Sequence, residues 1–264
     1  MNILDQIVDH KLKEVEERKR LYPLQSLEES IYFARNTVSL KAALLRADVA
    51  GIIAEIKRKS PSKGIINPDI SVVNISTGYV KAGASALSIL TDTHFFGGTN
   101  DDLMVARKLN TCPILRKDFI LDEYQIVEAK SIGADAILLI AAILKPRRLK
   151  ELAMFAHSLN LEVLMEVHNE DELKDNKGAS VDLIGVNNRN LKTFEVTMET
   201  SKNLAHLIPD SVVKVSESGI ESIEAIRELR DFGFRGFLIG QIFMQASRPE
   251  EKAFDFIRSL VGQK

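Results

Sequence analysis

Eight short apolar runs, most of them followed by a loop and an amphipathic helical pattern, constrain the fold of this chain more than any other feature. Several runs are continuously apolar rather than alternating, which is typical of parallel strands covered on both faces. Strands that alternate with helices indicate a parallel sheet, and eight such repeats favour a closed barrel. The runs occupy residues 51–56, 86–90, 113–115, 136–141, 161–165, 183–186, 212–215 and 236–239.

The segments between the runs carry helical periodicity and helix-boundary residues. Pro146 and Pro249 stand where the first turn of a helix tolerates proline, and Gly83, Gly133 and Gly233 follow helical segments as stops. An open, doubly wound sheet is the alternative architecture, but no G-x-G-x-x-G turn follows the first run. The clearest helical patterns cover residues 123–131, 146–159, 220–232 and 250–260.

A helical leader precedes the first strand. A second helical piece is predicted from Ser26, with Glu28 and Glu29 in its first turn. We therefore expect one α/β domain over residues 1–264, a (β/α)8 TIM barrel at 49–264 with an N-terminal helical extension at 1–48. The first leader helix is predicted from apolar positions on one helical face, at Ile3, Leu4, Ile7, Val8, Leu12 and Val15.

Charge and composition limit the kinds of molecule that this protein is expected to bind. The chain has 35 Lys and Arg against 37 Asp and Glu, a net charge of -2, so it lacks the basic excess typical of nucleic-acid or membrane-surface binding. Residues 11–20 could form an RNA-contacting helix, but the glutamates at 14, 16 and 17 favour a solvated face instead. No apolar signal core or membrane-length run is present, so we expect a soluble, cytoplasmic protein. Separately, we expect a monomer or weak homodimer.

Metal and thiol chemistry are not indicated by the residues that could supply them. Cys112 is the one cysteine, so no intrachain disulfide can form, and a packed side chain is favoured over a nucleophile. The five histidines show no metal-binding spacing, and His94 is expected in a surface or lid loop. We expect neither a metal nor a cofactor.

Charged and amide side chains follow most of the predicted strands, at the end where barrels of this type place their active sites. Alternation puts Glu55 and Lys57 on one face, whereas His168 is expected to point away from Glu166. Any single acid and base could form a structural ion pair, but their convergence favours acid–base catalysis. The residues at these ends are Glu55, Lys57, Lys117, Glu166, Asn187, Arg189 and Glu217.

A phosphate site is predicted after the last two strands. Ser218 and Gly219 are expected to open a helix, and Gly240 and Gln241 follow the eighth run. Barrel enzymes often bind phosphate there on backbone N–H groups at helix N-termini. The lysine-rich loop at 57–63 supports the binding of an anion nearby.

These strand-end motifs together resemble those of the indole-3-glycerol phosphate synthases, and the resemblance covers essentially the whole chain. That family converts 1-(2-carboxyphenylamino)-1-deoxyribulose 5-phosphate into indole-3-glycerol phosphate with loss of carbon dioxide and water. The matching motifs are Glu55-Ile56-Lys57-Arg58-Lys59-Ser60-Pro61-Ser62, Leu115-Arg116-Lys117-Asp118-Phe119, Leu164-Met165-Glu166-Val167-His168, Gly185-Val186-Asn187-Asn188-Arg189-Asn190 and Ser216-Glu217-Ser218-Gly219.

The resemblance implies a role for each matching residue. Lys117 corresponds to the general acid and Glu166 to the general base, while Lys57 holds the anthranilate carboxylate or shares the acid role. Glu55 and Glu217 position the lysines and the substrate hydroxyls. The remaining pocket residues that it implies are Asn187, Arg189 and Ser60, the phosphate-binding Ser218, Gly219, Gly240 and Gln241, and the apolar walls Phe96, Phe119 and Leu138.

The sequence departs from the family pattern in three ways. Gln241 stands where many relatives have a small residue, and Asn190 where aspartate is usual. The chain also has no tryptophan, so phenylalanine and leucine must supply the apolar walls for the anthranilate ring. We expect a neighbouring cation to lower the pKa of Lys117.

Two alternative functions are considered. The first is a phosphoribosyl isomerase, which uses an aspartate or cysteine pair as its acid and base rather than residues such as Lys117 and Glu166. The second is a catalytically inactive barrel that binds ligands.

Overall fold

The computed structural model describes residues 3–191 and 193–262, and its parallel strands close into an eight-stranded barrel. Strand β1 (Ile52–Ile56) pairs with β4 (Ala86–Leu90) on one side and with β10 (Gly236–Ile239) on the other, which confirms the predicted (β/α)8 TIM barrel. The barrel strands are β1 (Ile52–Ile56), β4 (Ala86–Leu90), β5 (Ile114–Lys117), β6 (Ala136–Ile140), β7 (Glu162–Val167), β8 (Leu183–Asn187), β9 (Val213–Glu217) and β10 (Gly236–Ile239). A small antiparallel hairpin of β2 (Lys59–Ser60) and β3 (Gly64–Ile65) follows β1.

Helices lead into the barrel, separate its strands and end the chain. The second leader helix spans Leu24–Glu28, so the prediction that Glu28 and Glu29 lie in its first turn was wrong. Across the described ranges, no helix has the length and apolar character needed to cross a membrane. The helices are α1 (Ile3–Leu21), α2 (Leu24–Glu28), α3 (Leu40–Leu45), α4 (Val72–Lys81), α5 (Thr93–Phe96), α6 (Asn100–Leu109), α7 (Glu123–Ser131), α8 (Pro146–Ser158), α9 (Glu170–Asp175), α10 (Glu199–Ala205), α11 (Ile223–Asp231), α12 (Gln241–Met244) and α13 (Pro249–Val261).

Strand alternation divides the buried apolar residues into two layers and determines which side chains enter the barrel. In β1, Ile52 and Ala54 belong to the layer between strands and helices, whereas Ile53 belongs to the interior layer. Successive side chains on a strand point to opposite faces, so Glu55 shares the interior face with Ile53. The same alternation places Lys117 above Leu115, because Leu115 is also an interior residue.

The leader packs against both ends of the barrel. Ile7 of α1 is buried in the interior layer together with Phe119, which follows β5 at the carboxyl-terminal rim. Leu44 of α3 closes the opposite end, where its Cδ1 atom comes as near as 3.0 Å to the position that a Cβ on Gly236 would occupy. The assignment of residues 1–48 as an extension to a single domain at 1–264 stays our proposal.

Candidate active site

A cavity of about 330 Å³ opens at the carboxyl-terminal ends of the strands. Its lining includes every residue that the sequence predicted for the site. The charged and amide members are Glu55, Lys57, Lys117, Glu166, Asn187, Arg189, Glu217 and Gln241, and the others are Ser60, Phe96, Phe119, Leu138, Ser218, Gly219 and Gly240.

Lys117 stands between two carboxylates on the floor of this cavity. Its Nζ donates to Oε2 of Glu166 at 2.8 Å and to Oε2 of Glu217 at 2.9 Å. The other oxygen of Glu166 accepts from Nδ2 of Asn187 at 3.2 Å. The proposed acid and base are therefore in direct contact, with the amide of Asn187 orienting the carboxylate.

The electrostatics of this cluster correct one expectation from the sequence. Burial works to lower the pKa of Lys117, but Glu166, Glu217 and Glu55 outweigh it and raise that pKa above its ordinary value. The expected lowering by a neighbouring cation was therefore wrong, because the nearest charges are carboxylates. The Lys117 ammonium in turn holds the pKa of Glu166 below its usual range, against the opposing effect of burial.

Glu217 titrates differently from Glu166 although both contact the same ammonium. Burial is the largest influence on its carboxyl, and the nearby Glu166 and Glu55 carboxylates act in the same direction against Lys117. Together they raise the pKa of Glu217 to about 7. One ammonium between two buried carboxyl groups thus holds one ionised and leaves the other close to its titration point at neutral pH.

A second acid–base pair lies on β1 and the residue that follows it. Nζ of Lys57 donates to Oε1 of Glu55 at 2.6 Å. Gly240 packs against this carboxylate, because a Cβ at Gly240 would lie 2.7 Å from Oε1 and 2.9 Å from Cβ of Glu55. The glycine after β10 therefore makes room for Glu55, a reason that the sequence did not suggest.

His168 corrects a second expectation. Its Nε2 lies 3.3 Å from Oε1 of Glu166, so the two side chains share one side of the chain rather than pointing apart. The residues are two apart at the end of β7, and strand alternation places positions of that spacing on the same face. Burial opposes protonation of the ring, but Glu166 and Glu172 outweigh it and raise the pKa of His168 to about 10.

Apolar side chains form one wall of the cavity. The rings of Phe96 and Phe119 lie 5.8 Å apart between centroids, and Leu138 lines the same cavity. Three leader residues that the sequence did not assign to the site, Ile3, Leu4 and Ile7, line it too. The sequence predicted that these residues form the apolar face of the leader helix. It did not predict where that helix packs on the barrel.

The predicted phosphate end lies at the same rim, with one correction to its local structure. Ser218 and Gly219 do not open a helix, because α11 begins at Ile223 with Ser222 as its cap. They form a loop in which both residues have positive φ, 68° and 74°. Gly240 does precede a short helix, α12.

Arg189 brings a guanidinium to this end of the cavity. Its Nη2 donates to Oε1 of Gln241 at 3.3 Å, and its Nη1 donates to the carbonyl oxygen of Phe194 at 3.2 Å. The long amide of Gln241 thus holds the arginine. Asn190 contributes to the loop itself, because its Oδ1 accepts from the backbone N–H of Thr193 at 3.2 Å.

The structure also gives the surroundings of the histidine and cysteine residues that the sequence did not assign to catalysis or metal binding. His94 stacks on His10 of the leader helix with 4.3 Å between ring centroids. Burial raises the pKa of the Cys112 thiol to about 11, which is typical of an inert packed thiol. Within residues 3–191 and 193–262, no three His, Cys, Asp or Glu side chains are grouped as metal ligands.

A buried ion cluster beside the site was not anticipated. Lys11 of α1 is fully buried, and its Nζ lies 2.8 Å from Oδ2 of Asp92 and 3.0 Å from Oδ1 of Asp118. Oδ2 of the same Asp118 lies 3.2 Å from Nη2 of Arg116. Asp118 directly follows Lys117, so this cluster ties the leader helix to the strand end that presents the proposed acid.

The family model for indole-3-glycerol phosphate synthase matches residues 4–256. The chain belongs to this family. Proteins named indole-3-glycerol phosphate synthase from Bacteroides thetaiotaomicron and Thermoanaerobacter pseudethanolicus are 48% and 43% identical over 259 and 260 residues. Each alignment covers 98% of this chain and 99% of the relative. A relative of the same name from Burkholderia ambifaria is 42% identical, over 95% of this chain and 97% of its own length.

Solved structures at low identity support the barrel of this indole-3-glycerol phosphate synthase family member. Thiamine phosphate pyrophosphorylase from Pyrococcus furiosus aligns with a TM-score of 0.61 and 14% identity, covering 85% of this chain and 98% of that protein. KGPDC from Streptococcus mutans aligns with the same TM-score and 12% identity, over 81% of this chain and 98% of its own. At such identities the likeness concerns the fold alone.

Proposed function

We propose that this protein is an indole-3-glycerol phosphate synthase, a carboxy-lyase of tryptophan biosynthesis, with Lys117 as general acid and Glu166 as general base. It converts 1-(2-carboxyphenylamino)-1-deoxyribulose 5-phosphate into indole-3-glycerol phosphate, carbon dioxide and water. The observation that carries the proposal is the Lys117 ammonium held 2.8 Å from Glu166, on the floor of a cavity with an aromatic wall.

Ring closure is the first step. The ring carbon that bears the carboxylate attacks the ribulose carbonyl, and negative charge develops on the carbonyl oxygen. A preorganised ammonium in a buried site stabilises such charge and delivers a proton to it. Lys117 fits this role because its ammonium form is strongly favoured by the surrounding carboxylates.

Loss of carbon dioxide restores the aromatic ring, and loss of water then completes the indole. Dehydration needs a proton on the departing hydroxyl and removal of a proton from the carbon beside the nitrogen. Glu166 is ionised and oriented by Asn187, so it supplies the base. Lys57, held by Glu55, either binds the anthranilate carboxylate or shares the acid role, and Glu217 positions Lys117 and a substrate hydroxyl.

The two ends of the substrate would meet different parts of the cavity. The anthranilate ring would pack on Phe96, Phe119 and Leu138, whose apolar surface suits an aromatic group. The phosphate would bind at the opposite loops, near the Arg189 guanidinium, with Ser60 also available as a hydroxyl. The phosphate contacts in this proposal come from Ser218, Gly219, Gly240 and Gln241.

The chemistry as written calls for no electron carrier, so we propose that the side chains suffice. The substrate is a small phosphorylated molecule, and the barrel interior offers it a cavity of about 330 Å³. The expectation of a cytoplasmic monomer or weak homodimer stays a prediction.

A fluorescence assay tests the function directly. The synthetic carboxyphenylamino-deoxyribulose phosphate is mixed with protein in a chelator-containing buffer, and formation of the indole product is followed. The wild type should form product, while Lys117→Ala and Glu166→Gln should lose about 10²–10⁴-fold in kcat, as expected for a positioned acid or base.

A surface lysine provides the matched control. Lys108 is exposed on α6, so Lys108→Ala should retain the wild-type kcat. Circular dichroism of each variant shows whether a loss of activity reflects unfolding. A folded wild type that forms no indole product would eliminate the synthase proposal.

A further inference from the structure

The proposed reaction, on which this inference rests, consumes one proton from the active site in every turnover. The substrate oxygen receives one proton as the ring closes and another as water departs. Glu166 recovers one proton from carbon, and the carboxylate leaves as carbon dioxide without releasing any. One proton per turnover must therefore enter from solvent and reach Lys117, whose side chain is only 12% exposed.

A charged side chain stands behind Glu166, on the side away from Lys117. Nε2 of His168 lies 3.3 Å from Oε1 of Glu166, whereas Lys117 contacts Oε2. Among the described residues, this Nε2 has no aligned hydrogen-bond partner. Glu166 Oε1 lies within reach of it, so a small rotation of the ring points the Nε2–H at Oε1 and forms the hydrogen bond that proton transfer needs.

His168 also reaches a second cavity, of about 390 Å³, next to the first. Glu172 of α9 lines that cavity and holds the ring from the other side, with its Oε2 3.2 Å from Nδ1. The same carboxylate oxygen accepts from the backbone N–H of His168 at 2.8 Å. The ring is thus fixed between a solvent-facing cavity and the proposed base.

We propose that His168 is a proton inlet, which takes protons from solvent in the second cavity and passes them through Glu166 to Lys117. After ring closure Lys117 is a neutral amine and Glu166 is ionised. The Nε2–H bond then breaks as a proton moves to Oε1 of Glu166, and rotation of the carboxyl group brings this proton to the Lys117 amine, so that Glu166 is ionised again. In the dehydration Lys117 gives a second proton to the departing hydroxyl, and Glu166 takes one proton from carbon and passes it to Lys117. The neutral imidazole regains its proton from solvent, so each cycle imports one proton and restores the starting charges.

The charges around the ring support this direction of transfer. Glu166 faces it from β7 and Glu172 from α9, and both favour the imidazolium form. Arg189 and Glu195, from the segment after β8, line the same cavity. A cationic His168 at neutral pH holds a proton ready whenever the active site has lost one.

Two variants test the inlet through their steady-state kinetics, the solvent deuterium isotope effect and rescue by imidazole. His168→Gln keeps a polar side chain near Glu166 but cannot carry a proton, and His168→Ala leaves space for added imidazole. We expect kcat to fall about tenfold in each variant, with little change in KM. This loss is smaller than the fall of about 10²–10⁴-fold expected when a direct acid or base is removed. The solvent deuterium isotope effect on kcat should rise in both, and imidazole should restore turnover to His168→Ala.

His157 gives a matched control at the other end of the barrel. Its Nε2 lies 2.8 Å from Oδ2 of Asp182, just before β8, so His157→Gln should change neither kcat nor the isotope effect. Wild-type kcat in His168→Gln would overturn the inlet. A lower kcat with an unchanged isotope effect and no imidazole rescue would also overturn it, since only support of Glu166 would then be lost. Failure of the wild type to form indole product would instead be a failure of the proposed function.

Discussion

Nζ of Lys117 lies 2.9 Å from Oε2 of Glu217, while Oε1 of the same carboxyl group is buried without a hydrogen-bond partner among the described residues. Gly185 makes room for that oxygen, because a Cβ there would collide with it. A buried carboxylate oxygen without a partner is costly when charged. The geometry therefore agrees with the raised pKa of Glu217.

Replacing Glu217 by glutamine should change how stability depends on pH. The pKa of Glu217 is raised from about 4.5 to about 7, so folding favours its protonated form. Its contribution to stability is complete below about pH 4.5 and is lost as the pH rises to about 7. The wild type should therefore lose stability relative to Glu217→Gln across that interval, by at most about 1.4 kcal/mol per pH unit.

Urea unfolding of both proteins at intervals between pH 4.5 and 8 measures this difference. The difference in unfolding free energy should level off above about pH 7. A constant difference over the whole range would mean that Glu217 is already ionised in the folded protein. The carboxyl group would then act only as a fixed negative charge beside Lys117.

Lys11→Met should destabilise the protein by about 3–5 kcal/mol, because it leaves the buried Asp92 and Asp118 without their shared cation. The loss should also loosen α1, whose Ile7 lines the active-site cavity. Denaturant unfolding measures the first effect. The KM for the carboxyphenylamino substrate measures the second and should rise.

Lys13 provides the comparison for this variant, because it lies exposed on the same helix. Lys13→Met should leave both the unfolding free energy and KM close to those of the wild type. If Lys11→Met were equally harmless, the ion cluster would contribute nothing to the position of the leader helix.

The residues that the sequence located correctly share one property, their position directly after a strand or at its end. Glu55, Lys117, Glu166 and Glu217 could be found because parallel strands of a barrel end at one rim and alternation fixes the inward face. Lys11 could not be found in this way. Helical spacing does place Lys11 between Ile7 and Val15 on the buried face of α1. Its partners Asp92 and Asp118 lie on separate loops, however, so the ion cluster itself depends on contacts that no local pattern shows.

Three other differences between prediction and structure have separate causes. His168 follows the same alternation rule as Glu166, so its inward position was predictable and the opposite expectation misapplied the rule. The raised pKa of Lys117 was not predictable, because it depends on which strand ends face β5 across the barrel. The start of α11 lies at Ile223 because Ser222, not Ser218, caps the helix.

Gly219→Asn should weaken binding of the phosphorylated substrate. Gly219 has φ of 74°, a conformation that asparagine adopts more readily than most residues, so the backbone can be retained. A Cβ there would collide with Cγ1 of Val196 and approach Cε of Met198 to 3.2 Å. If the phosphate binds at this loop, KM should rise more than about tenfold, equivalent to about 1.4 kcal/mol, with a smaller change in kcat.

Gly64→Asn is the control for Gly219→Asn. It makes the same replacement at a glycine with positive φ, but the added side chain meets no neighbouring atoms. Gly64 has a similar φ of 66°, but nothing lies within 4 Å of the position that a Cβ would occupy there, so this variant should keep the wild-type KM. Inhibition by inorganic phosphate gives a second readout, and it should weaken in Gly219→Asn but not in Gly64→Asn. Unchanged KM and unchanged phosphate inhibition in Gly219→Asn would place the phosphate elsewhere in the cavity, with the Arg189 guanidinium as the next group to replace.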